Sequence, residues 1–338
     1  MTTQLFKDAK GWAYHVGAFV YAITAYAIGM MGLFSSSWII NALSTLLLAH
    51  GMAIAAYLIH ECGHNTIFKN NDHNSQLGRF LNWLCGSCYG TYEDIRYKHF
   101  RHHVDNDDVV WFEYEKWFSS HPITLKVVKV FEWFYIPAHD LLMHVIMMFS
   151  AFIIPERKAQ RIRNLRVIII RFSLFCLIAY VNPKAAILYA TAYMIMMTVL
   201  RFMDSLQHDY GYHATLFNSE EAAPHKRDTV YEQTHTFSNP LCFNYTLPNW
   251  LVLNFGFHNA HHANPTMPWY RLPALHRELF GDDAKNIIPF SAQLRAFHRF
   301  RVVRVNSDGS ENEGQDFLSN AQQGNVLGGN AASFLTSF

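Results

Sequence analysis

Apolar residues in this chain gather into long runs rather than alternating with polar ones. A bilayer core takes about 20 such residues in a helix. Trp12 to Phe34 and Trp38 to Ile59 both qualify, separated only by the tight turn Ser35-Ser36-Ser37. Val167 to Val181 and Lys184 to Met203 form a second pair, broken at Asn182-Pro183. The first half of that pair is short and holds Arg171, whose long stem lets the charge reach the surface. A fifth apolar run, Trp133 to Ile154, is interrupted by Pro137, His139, Asp140 and His144, and reads as a helix lying in or dipping into the interface. The pattern predicts an all-α membrane protein of four transmembrane helices, arranged as two hairpins under a helical cap. Four crossings put both termini on one side.

Composition agrees. Of 338 residues, 51% are hydrophobic, 15% aromatic and only 16% charged, against about 25% charged in soluble domains. A net charge of +1 gives no field that would select nucleic acid. The five cysteines are few and irregularly spaced, which argues against a disulfide framework and suits a reducing compartment. The apolar run after Lys10 is longer than a signal-peptide core and lacks a small-residue cleavage site, so it reads as a retained membrane helix. Residues 60 to 166 carry thirteen Lys and Arg, while the short turns at the other end carry almost none. The positive-inside bias places the large loops and both termini in the cytosol. Residues 1–305 read as one membrane domain. From 306 to 338 the chain is rich in Gly, Asn, Ser and Gln, with too little apolar surface to offset ordering, and reads as a disordered tail.

The chemistry lies in the histidines. His60-Glu-Cys-Gly-His64, His99-Phe-Arg-His102-His103 and His258-Asn-Ala-His261-His262 each space imidazoles three or four residues apart, on one helical face. His208 follows the fourth apolar run. All nine emerge at one membrane face. They are too many for a single tetrahedral zinc and suit two metals sharing a cage. Imidazole serves iron, copper, zinc and nickel alike, so spacing leaves the metal open. His60-Glu61-Cys-Gly-His64 also matches the zinc-protease HExxH pattern, with Glu61 as general base, but that reading leaves both HxxHH groups idle. A transporter would need its ligands near the bilayer midplane, whereas these flank the spans. Metal-bound imidazoles need their second nitrogen held; Asp204 is the leading candidate, followed by Asp94 and Asp105.

Other features rank below these. His50 lies ten residues before His60, about 15 Å up the same helix, and either lines a substrate channel or is a bonded core residue. His225 and His235 read as loop residues, Cys85-Gly-Ser-Cys88 as packing, and Trp111, Phe112, Tyr114, Trp117, Trp133 and Phe134 as interfacial aromatics.

The order HxxxH, HxxHH, two spans, HxxHH resembles the integral-membrane fatty acid desaturase family over about residues 10 to 300. That resemblance implies a cytosolic di-iron centre above a four-helix membrane base, held by the eight motif histidines with His208 as the extra ligand. It implies O₂ as co-substrate and hydrogen abstraction from a fatty acyl chain, as free acid, thioester or lipid. Many relatives have Asn where this chain has Asp204. Desaturation is the first expectation; fatty acid decarboxylation to a terminal alkene and hydroxylation share the scaffold. With no GxGxxG fingerprint and no fused haem or flavin domain, electrons are expected from a separate ferredoxin-like or cytochrome-type carrier docking at the basic surface. The compact chain suggests a bacterial-type enzyme of the inner membrane.

Overall fold

The computed structural model describes residues 5–86, 88–210, 215, 223–307 and 316–329. Helices carry these residues, and the only β pairing among them is isolated bridges. The first long pair is α1 (Trp12–Gly32) and α2 (Trp38–Gly63). Then come α3 (Asn71–Leu84), α4 (Tyr92–Asp105), α5 (Tyr114–Ser120), α6 (Pro122–Trp133) and α7 (Ala138–Ile153). The second long pair is α8 (Arg161–Val181) and α9 (Pro183–Asp204). Shorter helices follow: α10 (Thr229–Thr234), α11 (Thr246–Asn249), α12 (His258–Ala263), α13 (Leu272–Phe280), α14 (Phe290–Phe300) and α15 (Phe317–Gln323). Among the described residues, four helical runs are long and apolar enough to cross a membrane: α1, α2, Pro155–Val181 and α9.

α2 is the buried axis, packed by α1 on one flank and α9 on another, whereas α8 is exposed along most of its length. Small residues let α1 and α2 approach. A Cβ on Gly29 would stand 2.8 Å from Leu48 Cβ, and one on Gly51 would stand 3.0 Å from Ala25 Cβ. Close backbone approach of this kind drives helix association where lipid removes the hydrophobic incentive. The turn between them is held by Asn41, whose Nδ2 donates to the carbonyls of Gly32 at 2.9 Å and Leu33 at 3.2 Å. These are orphan acceptors at the end of α1. Asn182 caps α9 by accepting from Ala185 N at 3.1 Å, with Pro183 in the first turn. Lys184 Nζ donates to Ser35 O at 2.6 Å, so the two turns sit at the same end of the molecule.

The expected spans hold with shifted ends. α2 continues past Ile59 to Gly63 and so carries His60 inside the helix. α8 starts at Arg161 rather than Val167, with Arg161 and Arg163 bonded to carbonyls of neighbouring segments. Arg163 donates to the carbonyls of Cys88 at 2.6 Å and Tyr89 at 3.0 Å. Arg171 donates to Tyr189 Oη at 3.0 Å and so stays within the protein instead of reaching outward. The polar residues that interrupt the run from Trp133 to Ile154 have partners too. Arg201, near the end of α9, meets Asp140 at 3.1 Å and Glu132 at 2.8 Å, all three buried. Buried charges persist only when paired, and this triad ties α6 and α7 to α9.

One expectation fails. The stretch from 306 to 338 is not wholly a disordered tail, because residues 316–329 pack on the body. Asp316 caps α15 by accepting from Ser319 N at 3.2 Å, and Gly324 ends it with φ of 74°. Phe317, Ala321 and Val326 then join Leu206, Ile288 and Ala296 in a second small core. The fully buried Arg304 donates to Leu327 O at 2.9 Å, and Gly329 N donates to Ser205 O at 2.8 Å. A few apolar residues at helical spacing suffice to dock this segment, which averaged composition hides. Residues 308–315 and 330–338 lie outside the described residues. Phe317→Ala is expected to cost about 3–5 kcal/mol, as buried Phe truncations do. Thermal scanning of the detergent-solubilised protein checks this; an unmoved midpoint would show that the segment carries no stability.

Candidate metal centre

Three helix ends and one turn deliver the nine histidines. His60 lies in the last turn of α2, and His64 follows as its C-cap, with its N–H on His60 O at 3.1 Å. His99, His102 and His103 occupy the last turns of α4, which Thr91 starts by accepting from Asp94 N at 3.0 Å. Asn106 ends α4 in the left-handed region and donates to the carbonyls of His225 and Asp228 at 2.8 Å each. His208 sits just beyond α9, bridged to Thr236. Leu253 and Asn254, both at positive φ, turn the chain into α12, which presents His258, His261 and His262.

Among the described residues the rings form two groups of four, His60, His64, His99 and His261, and His102, His208, His258 and His262. In the first, His64 and His99 Nε2 are 2.6 Å apart and His60 and His261 Nε2 are 3.1 Å apart. His103 Nε2 lies 3.1 Å from both His99 and His261 Nε2, so it joins this group. In the second, His208 Nε2 is 3.1 Å from His102 Nε2 and 2.8 Å from His258 Nε2. Two nitrogens bonded at about 2.1 Å to one ion at right angles would stand about 3 Å apart. The observed edges match that spacing. All nine sequence-predicted histidines are therefore brought together.

Burial, then the nearness of other imidazoles, holds protonation of His64, His99, His208, His258, His261 and His262 far below the ordinary histidine range. For His102 it is pushed down to about 3. Neutral imidazole is the metal-binding form. The outer nitrogens of His102, His262 and His208 are held from behind. His102 Nδ1 donates to Asp107 O at 2.8 Å, with the Asp108 carboxylate 3.6 Å away. His262 Nδ1 donates to Glu232 Oε1 at 2.7 Å, and the same oxygen is 3.8 Å from His103 Nδ1. Thr236 Oγ1 lies 3.4 Å from His208 Nδ1. Partners of this type fix tautomer and ring orientation.

Two of the carboxylates predicted for this role, Asp94 and Asp105, are engaged elsewhere. Asp94 pairs with Arg157 at 3.2 Å and Gln160 at 3.0 Å, and Asp105 pairs with Arg101 at 2.7 Å and Lys226 at 3.3 Å. Both brace α4 against its surroundings instead of touching an imidazole. Asp204 lies beside the buried Lys98, whose ammonium burial pushes down to about 7 against the pull of Asp108 and Asp204. Glu232 was not foreseen. It lies thirty residues before His262 with no periodic relation to it, and the one sequence signal is Asp228, which caps α10 and thereby aims Glu232. Glu61 Oε1 lies 3.8 Å from His60 Nδ1, and its Oε2 accepts from Thr66 Oγ1 at 2.6 Å and Trp269 N at 3.3 Å. That places it behind the ring, away from the converging Nε2 atoms where a protease base would have to act. His225 and His235 flank Tyr231, with ring centroids 3.6 and 3.9 Å from it.

Two outcomes follow. An unfolded chain protonates histidine near 6.5, whereas these folded rings resist protonation down to about 3 for His102. As pH falls below about 6.5 the unfolded state binds more protons, so metal-free protein should lose stability progressively toward pH 4. Melting curves of the chelated protein against pH test this; a flat midpoint over that range would contradict it. Glu232→Gln should weaken metal retention about 10–100-fold through His262, read by competition with a chelator. Unchanged retention would remove Glu232 from the centre.

Comparison with known proteins accords with this geometry. Residues 36–293 match the family model described as fatty acid desaturase. The chain is 24% identical over 292 residues to an omega-6 fatty acid desaturase, chloroplastic, of Glycine max, covering 80% of this chain and 63% of that protein. It is also 24% identical over 258 residues to a sphingolipid delta(4)-desaturase DES1 of Rattus norvegicus, and 25% identical over 262 residues to that of Xenopus tropicalis. Each of these covers 75% of this chain and 68% of the relative. The chain thus spans about two thirds of the length of the relatives it matches. With the family match covering most of its length and the histidine groups drawn into one cluster, the chain belongs to the fatty acid desaturase family.

Proposed function

We propose that this chain is a membrane-embedded di-iron enzyme that oxidises a fatty acyl chain with O₂, most directly by desaturation. The observation that carries the reading is the pair of four-imidazole groups sharing one buried cluster, with His103 at their junction. His60, His64, His99, His103 and His261 would hold one iron, and His102, His208, His258 and His262 the other. Neutral nitrogen donors suit iron, and the donor spacing fits two ions better than one. When bound, the irons with O₂ supply the oxidising power that no side chain has.

The protein's own part is to hold and to exclude. Asp107, Glu232 and Thr236 occupy the outer nitrogens of His102, His262 and His208, so the Nε2 atoms of these rings remain aimed inward. Phe255 places its ring 5.3 Å from His60 and 5.1 Å from His258, an apolar wall shared by both groups. The fatty acyl substrate follows from the family and from the membrane setting of the four long apolar helices. The excess of Lys and Arg between residues 60 and 166 supports a cytosolic centre beneath a base of two helical hairpins. That basic surface suits an external ferredoxin-like or cytochrome-type electron donor. We take residues 1–305 as the catalytic unit, with the packed segment 316–329 as its brace.

Feeding labelled fatty acids to expressing cells and analysing the products by mass spectrometry tests the reaction. An internal alkene of unchanged carbon number is expected. A terminal alkene one carbon shorter, or an added oxygen, would replace desaturation by decarboxylation or hydroxylation. His102→Ala should abolish turnover while the protein stays membrane-inserted, and retained turnover would contradict the ligand assignment.

A further inference from the structure

Trp269 is buried behind the histidine cluster, and its indole Nε1–H meets no acceptor among the described residues. Its backbone N donates to Glu61 Oε2 at 3.3 Å, and Glu61 Oε1 stands 3.8 Å from His60 Nδ1. Oxidisable rings lead from it to the surface. Trp269 lies 5.7 Å from Tyr270, 6.0 Å from Tyr14 and 5.9 Å from Trp250, centroid to centroid. Tyr14 stacks on Tyr270 at 4.6 Å and meets Trp250 edge-on at 5.7 Å. Electron transfer between rings falls exponentially with the gap between them, and aromatic pairs at these separations are in contact.

The outer end of this series is built to take a proton. Tyr270 Oη donates to Asp8 Oδ2 at 2.8 Å, within reach of direct transfer. Asp8 is fixed in turn by Arg271 at 2.6 Å and by the backbone N of Lys10 at 2.9 Å. A phenol gives up an electron readily only when its proton has somewhere to go. An indole can lose an electron and keep its N–H, and with no acceptor at Nε1 the resulting cation stays a strong oxidant. Interfacial anchoring accounts for the exposed Tyr14 and Trp250. It does not account for a buried indole next to Glu61, or for a phenol tethered to a fixed carboxylate.

We propose that Trp269 and Tyr270, with Asp8 as proton acceptor, form an escape route that carries oxidising equivalents from the histidine cluster to the surface when no acyl chain is there to be oxidised. The proposal rests on the di-iron reading above, from which it takes its oxidant, a one-electron acceptor of the oxidised-iron class. Trp269 gives up one electron toward the cluster and becomes an indole radical cation with its proton retained. Tyr270 returns an electron to Trp269, directly or through Tyr14, and passes its phenol proton to Asp8 Oδ2. What remains is neutral Trp269, a tyrosyl radical and a protonated Asp8. A thiol or ascorbate-type reductant at the surface donates a hydrogen atom to Tyr270, and Asp8 releases its proton to water. The route spares the imidazoles, which are otherwise the nearest oxidisable groups, and preventing such side reactions is a task of any closed oxidative site.

The test mixes full-length, iron-loaded, chemically reduced protein in lipid nanodiscs with O₂ and no fatty acid, and reads freeze-quenched samples by electron paramagnetic resonance. A tyrosyl signal is expected, narrowed when the protein carries ring-deuterated tyrosine. Tyr270→Phe should lose that signal, keep its iron per chain and initial turnover, and inactivate in fewer substrate-free cycles. Asp8→Asn, which removes the proton acceptor, should replace the tyrosyl signal by a tryptophanyl one, a change that a merely structural role would not produce. Trp269→Phe should lose both signals. An undiminished tyrosyl signal in Tyr270→Phe or Trp269→Phe, no radical in the iron-loaded parent, or an equal signal from zinc-loaded protein overturns the proposal. The functional reading fails separately, if iron-loaded protein turns over no fatty acyl substrate, and the radical measurements then still decide the route.

Discussion

Nine imidazoles crowded within bonding distance of one another in a buried space impose the constraint that shapes this molecule. Protonated rings would repel there, and burial disfavours charge at His99 and His261 among others, so the arrangement favours neutral nitrogen donors. Keeping so many neutral donors aimed at common points demands rigid supports. α2 supplies one by being the most enclosed of the long helices. α4 supplies another, braced at its start by Asp94 on Arg157 and at its end by Asp105 on Lys226. α12 is short, and its placement depends on the left-handed residues Leu253 and Asn254 and on Asn259, which bonds Ser238 and Thr236.

The outer nitrogens explain why the polar loops are as ordered as they are. Asp107 and Asp108 sit in the turn after α4 and face His102, and Glu232 comes from the short helix α10. The second core built by Phe317, Ala321 and Val326 covers Leu206, two residues before His208. Through Gly329 on Ser205 and Arg304 on Leu327, it pins the turn that carries that histidine. The segment following the last helix of the body therefore bears on the geometry of the centre, even though it contributes none of the nine rings.

Much of this was legible from the sequence because the signals were periodic. The apolar runs gave α1, α2 and α9 within a few residues, and imidazole spacing of three and four gave the faces that converge. The supports escaped because nothing periodic encodes them. Glu232 reaches His262 across thirty residues, while Asp94, nearer in sequence to the motif, faces Arg157 on a neighbouring element, and Asp105 faces Arg101 one turn earlier on α4 and Lys226 beyond it. The start of α8 lies six residues before the apolar run at Val167, in a stretch that holds Arg163, which is bonded to the carbonyls of Cys88 and Tyr89. The packed part of 306–338 was missed because a handful of apolar residues vanished in a polar average, although a capping Asp316 and a closing Gly324 bracket them.

X-ray absorption at the iron edge, combined with metal analysis of the purified protein, bears most directly on whether these rings grip a pair of irons. The account predicts two irons per chain, each in a shell dominated by imidazole nitrogen. A single zinc per chain, or a first shell built chiefly of carboxylate oxygen, would contradict it.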